Sequence, residues 1–155
     1  MSYRVRGLSP EFFASLFPLT DDELASRGAV RRYADEPNAF PCRVSLEDAS
    51  PGEEVLLLPY RHHDVSSPYQ SSGPIYVRRN AISPYDRVDE IPRMQLGRLT
   101  SVRAYDASGF LVESDVVPGT DLDRLARHFL ENPRVDYLHV HNARPGCFAF
   151  RIDRA

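Results

Sequence analysis

The stretch VDYLHVHNARPGCFAFRI, residues 135–152, decides the fold because it encodes two strands that pair with each other. Apolar and polar residues alternate on both sides of Asn-Ala-Arg-Pro-Gly, a five-residue segment that suits a hairpin loop. Successive side chains of a strand point to opposite faces, so Leu138 and Val140 share one face of the first strand. Phe148 and Phe150 share the matching face of the second strand. The pattern therefore predicts a β-hairpin with one apolar face and one polar face.

The polar face of this hairpin carries the reactive side chains. Pairing that buries the apolar residues places His141 opposite Cys147 and His139 opposite Ala149, with Cβ atoms about 5 Å apart. A thiol beside an imidazole is a candidate nucleophile–base pair, and a protonated neighbour favours the reactive thiolate. We therefore predict a catalytic site of Cys147 and His141, in which His139 assists and Asn142 orients the imidazole ring.

Two other interpretations of this face stay open. In the first, Cys147 is a small buried apolar residue and His141 is a hydrogen-bonded core histidine. In the second, the His-x-His pair binds a metal, with His62 or His63 as the third ligand. The chain contains no Cys-x-x-Cys. The sequence thus predicts no metal and no other cofactor, and the alternative metal site consists of His62, His63, His139 and His141.

The rest of the chain predicts an α+β fold. Its 155 residues, 42% hydrophobic and 26% charged, have the size and balance of a single domain over 1–155. Thr120 precedes an apolar stripe with helical spacing, which predicts one long helix at about 120–132. Start signals at Ser9 and Thr20 predict two short N-terminal helices. The segments between alternate like strands, so we expect a mainly antiparallel sheet, strongly bent or partly barrel-like.

Charge and hydropathy exclude several classes of function. The net charge is −3, whereas nucleic-acid binders usually carry a basic excess, so we expect no nucleic-acid partner. All 19 basic residues are Arg, which excludes a catalytic lysine. The chain starts without a long apolar run, which predicts a cytoplasmic protein that does not enter a membrane, with Cys42 and Cys147 as free thiols. Edge strands and tyrosine-rich loops permit a homodimer.

Side chains suited to anions occur elsewhere in the chain. Arg43, Arg103 and Tyr105 alternate with apolar residues in strand-like runs, and Tyr69 lies in the polar loop that follows His62. If that face lines a cleft, these side chains would bind a carboxylate or phosphate. The alternative is that they form an ordinary solvated sheet face.

Several motifs together resemble one bacterial family of uncharacterised proteins, the domain-of-unknown-function family numbered 1203. They are FPCRVSL at 40–46, DASPGE at 48–53, PYQSSGPIYV at 68–77, RAYD at 103–106 and HVHNARPGCF at 139–148. The resemblance spans essentially the whole chain and implies a single-domain bacterial protein. It implies no activity, cofactor or catalytic residue, because none is established for the family.

Taken together, the residues favour a small cytoplasmic enzyme that acts on a small anionic substrate. Cys147 would be the nucleophile or redox thiol and His141 its base, while Arg43 or Arg103 would hold the substrate. One alternative is a non-catalytic module in which the same Arg and His side chains only recognise an anionic ligand. The other alternative is the histidine-ligated metal protein.

Overall fold

The computed structural model describes residues 1–155. Its helices are α1 (Asp21–Ala25), α2 (Arg93–Leu96) and α3 (Leu122–Glu131), with 3-10 turns at Pro10–Phe12, Ala14–Leu16 and Gly119–Asp121. Its strands are β1 (Tyr3–Arg6), β2 (Val30–Tyr33), β3 (Glu54–His63), β4 (Ser71–Arg78), β5 (Asp86–Val88), β6 (Leu99–Tyr105), β7 (Leu111–Pro118), β8 (Tyr137–Asn142) and β9 (Phe148–Arg154).

The strands form two antiparallel sheets. One has six strands in the order β5-β1-β9-β8-β6-β7, and the other has three in the order β2-β3-β4. The α+β class is confirmed, and both sheets are open, so neither closes into a barrel. The last 3-10 turn runs directly into α3, which confirms the long helix predicted at 120–132. No helix is both long and apolar enough to cross a bilayer.

Helix α3 covers one face of the six-stranded sheet, because its apolar stripe matches the apolar positions of the central strands. The helix buries Leu122, Leu125, Ala126, Phe129 and Leu130. Burying each large apolar side chain contributes roughly 1.5–3 kcal/mol. Because side chains alternate, the polar residues of β6 and β8 are left on the opposite face. The strand partners of α3 in this core are Val102, Ala104, Leu138, Val140, Phe150 and Ile152.

The N-terminal segment covers one face of the three-stranded sheet. Phe13, Phe17 and Leu24 pack there against buried side chains of β3 and β4. The capping box predicted at Thr20 is present: the Thr20 hydroxyl accepts from the Glu23 amide at 3.2 Å, which fixes the start of α1. The opposite face of this sheet faces the six-stranded sheet, and β3 brings two adjacent histidines to it.

The register of the β8–β9 hairpin differs from the predicted one. Val140 pairs with Phe150, but the next pair is His141 with Phe148, so Ala149 is an extra residue on β9. His139 pairs with Arg151, so the predicted pairs of His141 with Cys147 and of His139 with Ala149 are both wrong. The bulge breaks the assumed alternation. It turns Ala149 into the core and turns Phe148 onto the histidine face.

Candidate functional site

The polar face of β8 lies against the end of β3 and forms a packed group of rings, the histidine–tyrosine cluster. Strand β8 contributes two histidines and a tyrosine, β3 contributes two histidines, and β6 contributes a tyrosine. A phenylalanine comes from the start of β9, and a second tyrosine comes from the loop between β3 and β4. Neighbouring ring centroids lie between 4.1 and 6.3 Å apart. The cluster consists of His62, His63, Tyr69, Tyr105, Tyr137, His139, His141 and Phe148.

His141 is fully buried and both of its ring nitrogens have partners. Nδ1 lies 3.0 Å from the Gly146 carbonyl oxygen, so it carries the proton and donates. Nε2 then accepts from the Arg103 guanidinium at 3.4 Å. Burial is the main cause that lowers the pKa of His141 to about 3, and the Arg103 charge acts in the same direction. In this geometry His141 forms no hydrogen bond with Cys147.

Two other histidines have polar atoms without partners. His139 is buried, and its Nδ1 forms no hydrogen bond. Burial first, and then the charges of His63 and His141, lower its pKa to about 2. His62 Nδ1 is likewise buried without a partner, and burial lowers the pKa of His62 to about 4. Both rings are therefore neutral at physiological pH.

In His63, the remaining histidine of the cluster, both ring nitrogens form hydrogen bonds. His63 Nδ1 lies 2.8 Å from the Tyr69 carbonyl oxygen and donates to it. Its Nε2 accepts from the Tyr137 hydroxyl at 2.6 Å. The Tyr105 ring packs 4.1 Å from the His63 ring, and the half-exposed Tyr69 ring lies 6.1 Å from that of Tyr105. Tyr69 and Tyr105, predicted to bind a ligand, are thus packing partners inside this cluster.

The four histidines do not form a preformed metal site. No group of three or more His, Cys, Asp or Glu side chains is arranged to hold a metal ion. His63 and His141 already use both ring nitrogens in hydrogen bonds. Coordination would require these bonds to break, since a metal needs a free ring nitrogen.

A cavity of about 790 Å³ lies beside the cluster, between the two sheets. Its walls come from β3 and β4, from the segments at 38–43 and 97–99, and from the β8–β9 loop. His62 lies at the boundary between the cavity and the cluster, where its ring stacks on Phe148 with centroids 5.3 Å apart and planes 7° apart. No Asp or Glu lines the cavity. The side chains with polar atoms that line it include Asn38, Arg43, His62, Arg98, Asn142, Arg144 and Cys147.

Arg43 is the most unusual residue of this cavity because it is only 1% exposed and forms no ion pair with a carboxylate. Its Nε donates to the Phe148 carbonyl oxygen at 2.7 Å, and its Nη1 donates to the Pro41 carbonyl oxygen. Burial lowers the pKa of Arg43, and the groups that oppose this effect are Cys147, through charge and a side-chain hydrogen bond, and Cys42. A backbone bridge between Cys42 and β4 holds Arg43 in place, rather than the strand predicted there.

Two further arginines line the cavity, and the sequence did not single them out. Arg98 forms a two-point ion pair with Asp48 at 2.7 and 3.0 Å, so its charge is compensated. Arg144 is exposed on the β8–β9 loop and forms no ion pair. The hairpin pattern placed Arg144 in its loop, but no local signal linked Arg98 to this region. The cavity therefore carries one compensated and two uncompensated guanidinium groups.

Cys147 borders the cavity and is partly exposed, whereas Cys42 is fully buried. The Asn142 side-chain amide points at the Cys147 sulfur, with Nδ2 and Sγ 3.5 Å apart. Gln95 holds that amide from the other side, because its Nε2 donates to Asn142 Oδ1 at 3.1 Å. Asn142 therefore contacts the thiol rather than the ring of His141, which it was predicted to orient.

The structure divides the predicted site residues into two groups. Arg43, Asn142 and Cys147 line the cavity, and His62 joins them from the alternative metal set. The others lie in the cluster or against it, outside the cavity lining: His63, Tyr69, Arg103, Tyr105, His139 and His141.

Comparisons with known proteins identify a family and no activity. The family model described as "Protein of unknown function (DUF1203)" matches residues 39–154. This match includes the whole hairpin and every residue that lines the cavity except Asn38. No curated protein and no solved structure matches the chain.

Proposed function

Because the chain belongs to the DUF1203 family, whose function is unknown, we propose its function from the cavity alone: it binds a small anionic molecule there. The observation that carries this proposal is the buried Arg43 guanidinium, which has no carboxylate partner. A non-catalytic binding module needs nothing more than this recognition.

Electrostatics explains why an anion is expected. Removing one ion from water costs several kcal/mol even after the protein relaxes, and two backbone carbonyls compensate a guanidinium only in part. Arg43 Nη2 has no carbonyl or carboxylate oxygen as a partner, and the Cys147 side chain is the group that lies beside the guanidinium, so Nη2 is the nitrogen left for an oxygen of a ligand. An anion at this position would supply the missing charge through a charge-assisted hydrogen bond.

Binding can be tested by calorimetry and thermal shift with acetate, phosphate and sulfate at low ionic strength. We expect at least one of these anions to raise Tm, and added salt to weaken its binding. Arg43→Lys keeps the positive charge but loses the planar guanidinium with its several N–H donors. Arg144→Ala removes an exposed positive charge and leaves the buried core unchanged. Both should weaken binding, while Arg124→Ala, an exposed change on α3, should not. If no anion binds at millimolar concentration, the proposal is wrong.

A second candidate function is covalent chemistry at Cys147. In this case the protein is a small enzyme with Cys147 as its nucleophile, as the sequence predicts. It is favoured by one observation: a partly exposed thiol borders the same cavity as Arg43 and faces the Asn142 amide. In the minimal step, sulfur bonds to an electrophilic carbon of the bound acid, a leaving group departs with its bonding electrons, and the thiol proton passes to a base or to solvent. His62 is the imidazole that lines the cavity, whereas the predicted base His141 is occupied by other partners.

Paired alkylating reagents test the second candidate. Iodoacetate carries the carboxylate that Arg43 would attract, and iodoacetamide lacks it; in both reactions sulfur displaces iodide and the proton goes to buffer. We expect the iodoacetate-to-iodoacetamide rate ratio at Cys147 to exceed that of free cysteine, and Arg43→Lys to lower it. If Cys147 is alkylated more slowly in His62→Gln than in His141→Ala, His62 is the base. A ratio equal to that of free cysteine removes this candidate, and the buried Cys42 is the internal control.

Both cysteines are free thiols, as is usual in a reducing compartment. This supports a cytoplasmic location for the ligand and its protein. Cell fractionation with an antibody against the native chain would test the location.

A further inference from the structure

The cavity is too large, and its walls are too apolar, for an inorganic anion alone. At about 790 Å³ it falls in the size range of sites for organic ligands of drug-like size. Phosphate or acetate bound at Arg43 would leave most of this space filled with water. The volume therefore calls for a ligand whose body extends beyond its acid group.

The apolar and aromatic lining defines the chemistry of that body. Leu57 and Tyr76 supply one wall from the three-stranded sheet, and Leu99 supplies another from the start of β6. The stacked rings of His62 and Phe148 present further aromatic surface at the cavity boundary. Aromatic side chains favour planar partners that stack or meet them edge to face.

The polar groups lie where they would orient such a ligand. Arg43 is buried and Arg144 is exposed, so one cation lies deep in the cavity and one lies at its mouth. Arg43 uses Nε and Nη1 for backbone carbonyls, which leaves Nη2, in a guanidinium that lies beside the Cys147 side chain, for one oxygen of an acid group. Arg98 is compensated by Asp48 and adds less to this attraction.

We infer that the ligand is an aromatic organic acid, with its acid group at Arg43 Nη2 and its planar body against Leu57, Tyr76 and Leu99. This inference rests on the proposed anion-binding function and adds the substrate class to it. Carboxylate and phosphate monoester head groups share the required chemistry, so both are included in the test.

The experiment compares probes by calorimetry on the full chain: 2-naphthoate, 2-naphthyl phosphate, acetate, inorganic phosphate and 2-naphthylmethylamine. We expect one naphthyl acid to bind at least about tenfold more tightly than the inorganic or methyl anion with the same head group, because burial of a ring outweighs that of a methyl group. The amine has the same body with the opposite charge and should not bind.

Two variants locate the body of the ligand. Leu99→Ser alters a partly exposed cavity wall and should weaken naphthyl acid binding several-fold while leaving acetate and phosphate unchanged. Val116→Ser alters an exposed apolar residue of β7 outside the cavity and should change neither.

The outcomes separate this inference from the function on which it rests. If acetate or phosphate binds as tightly as the naphthyl acids, the ligand is a small anion and the inference is wrong, while anion binding stands. If the amine binds as well as the acids, the cavity recognises apolar rings and the anion-binding proposal is wrong. Equal effects of the two serine variants would also overturn the placement of the ring.

Discussion

Acidification from about pH 7.5 to about pH 5 is expected to lower the free energy of unfolding by at least about 4 kcal/mol, because two buried histidines contribute about 4 kcal/mol and His62, whose pKa is also lowered, adds to the loss. His139 is 3% exposed and His141 is 0% exposed. Burial holds the pKa of His139 at about 2 and that of His141 at about 3. Both rings are therefore neutral in the folded chain over this whole range of pH.

The magnitude follows from proton linkage. In the unfolded chain each histidine has its ordinary pKa of about 6.5, so below that pH the unfolded state binds more protons than the folded state. The contribution of these histidines to the free energy of unfolding is fully present above about pH 6.5. It decreases as the pH falls toward the pKa values that the two rings have in the folded chain. At about pH 5 each ring contributes a loss of about 2 kcal/mol, which gives about 4 kcal/mol for His139 and His141 together.

Urea denaturation at several values between about pH 7.5 and about pH 5 measures this loss directly. Glu53, Glu54 and Asp123 have lowered pKa values and titrate mainly below this range. The histidines with lowered pKa values, His62, His139 and His141, therefore dominate it. In His139→Phe about 2 kcal/mol of the pH dependence should disappear. His128→Gln, a change at the exposed histidine of α3, should retain all of it.

Two results would refute this reasoning. One is a free energy of unfolding that changes by less than about 1 kcal/mol between about pH 7.5 and about pH 5. The other is His139→Phe with the full pH dependence of the parent chain. Either result would mean that protons reach these rings without unfolding the cluster.

Gly7→Ala and Asp48→Asn, each compared with a control substitution, test the packing around the cavity. Gly7→Ala should lower the free energy of unfolding, measured by urea denaturation, by about 1–3 kcal/mol or more, because its Cβ would lie 1.9 Å from the Val44 carbonyl oxygen. In the control Gly97→Ala the new Cβ meets open space, so the free energy of unfolding should change by less than about 0.5 kcal/mol. Asp48→Asn should lower the free energy of unfolding by about 1–3 kcal/mol, since it leaves the partly buried Arg98 guanidinium without its carboxylate. The same change should strengthen anion binding, as measured by calorimetry.

The control for Asp48→Asn is Asp121→Asn, which removes the exposed ion pair with Arg124 at 3.8 Å. Exposed pairs contribute little, so the change in stability should stay below about 0.5 kcal/mol. Equal effects of the two substitutions would show that burial does not set the strength of the cavity ion pair.

Local patterns were enough to predict the main elements. The apolar stripe of α3 and the capping box at Thr20 follow from the chain itself, because helical periodicity and capping involve residues three or four apart. The placement of Leu138 and Val140 in the core also follows from alternation within one strand. These features could be predicted because each depends on neighbours in sequence.

The hairpin register could not be predicted in the same way. Strict alternation placed Phe148 in the core, but the bulge at Ala149 reversed this part of β9. The bulge lets Ala149 fill the core while Phe148 covers the ring of His62, which comes from another sheet. Whether Phe148 or Ala149 enters the core depends on how the two sheets pack against each other. The pattern of residues 135–152 contains no information about that packing.

The sequence by itself determined that His139 and His141 share the polar face of the hairpin and that every cation is an arginine. Only the tertiary structure decided that this face is buried under β3, which leaves both histidines neutral and gives His141 hydrogen-bond partners other than Cys147. It also decided that Arg43, Arg98 and Arg144 line one cavity, although they are far apart in the chain. The physical reason is that charge compensation depends on distance in space. Arg43 resembles other arginines of strand-like runs in sequence, and it is proposed as an anion site only because burial leaves it without a carboxylate.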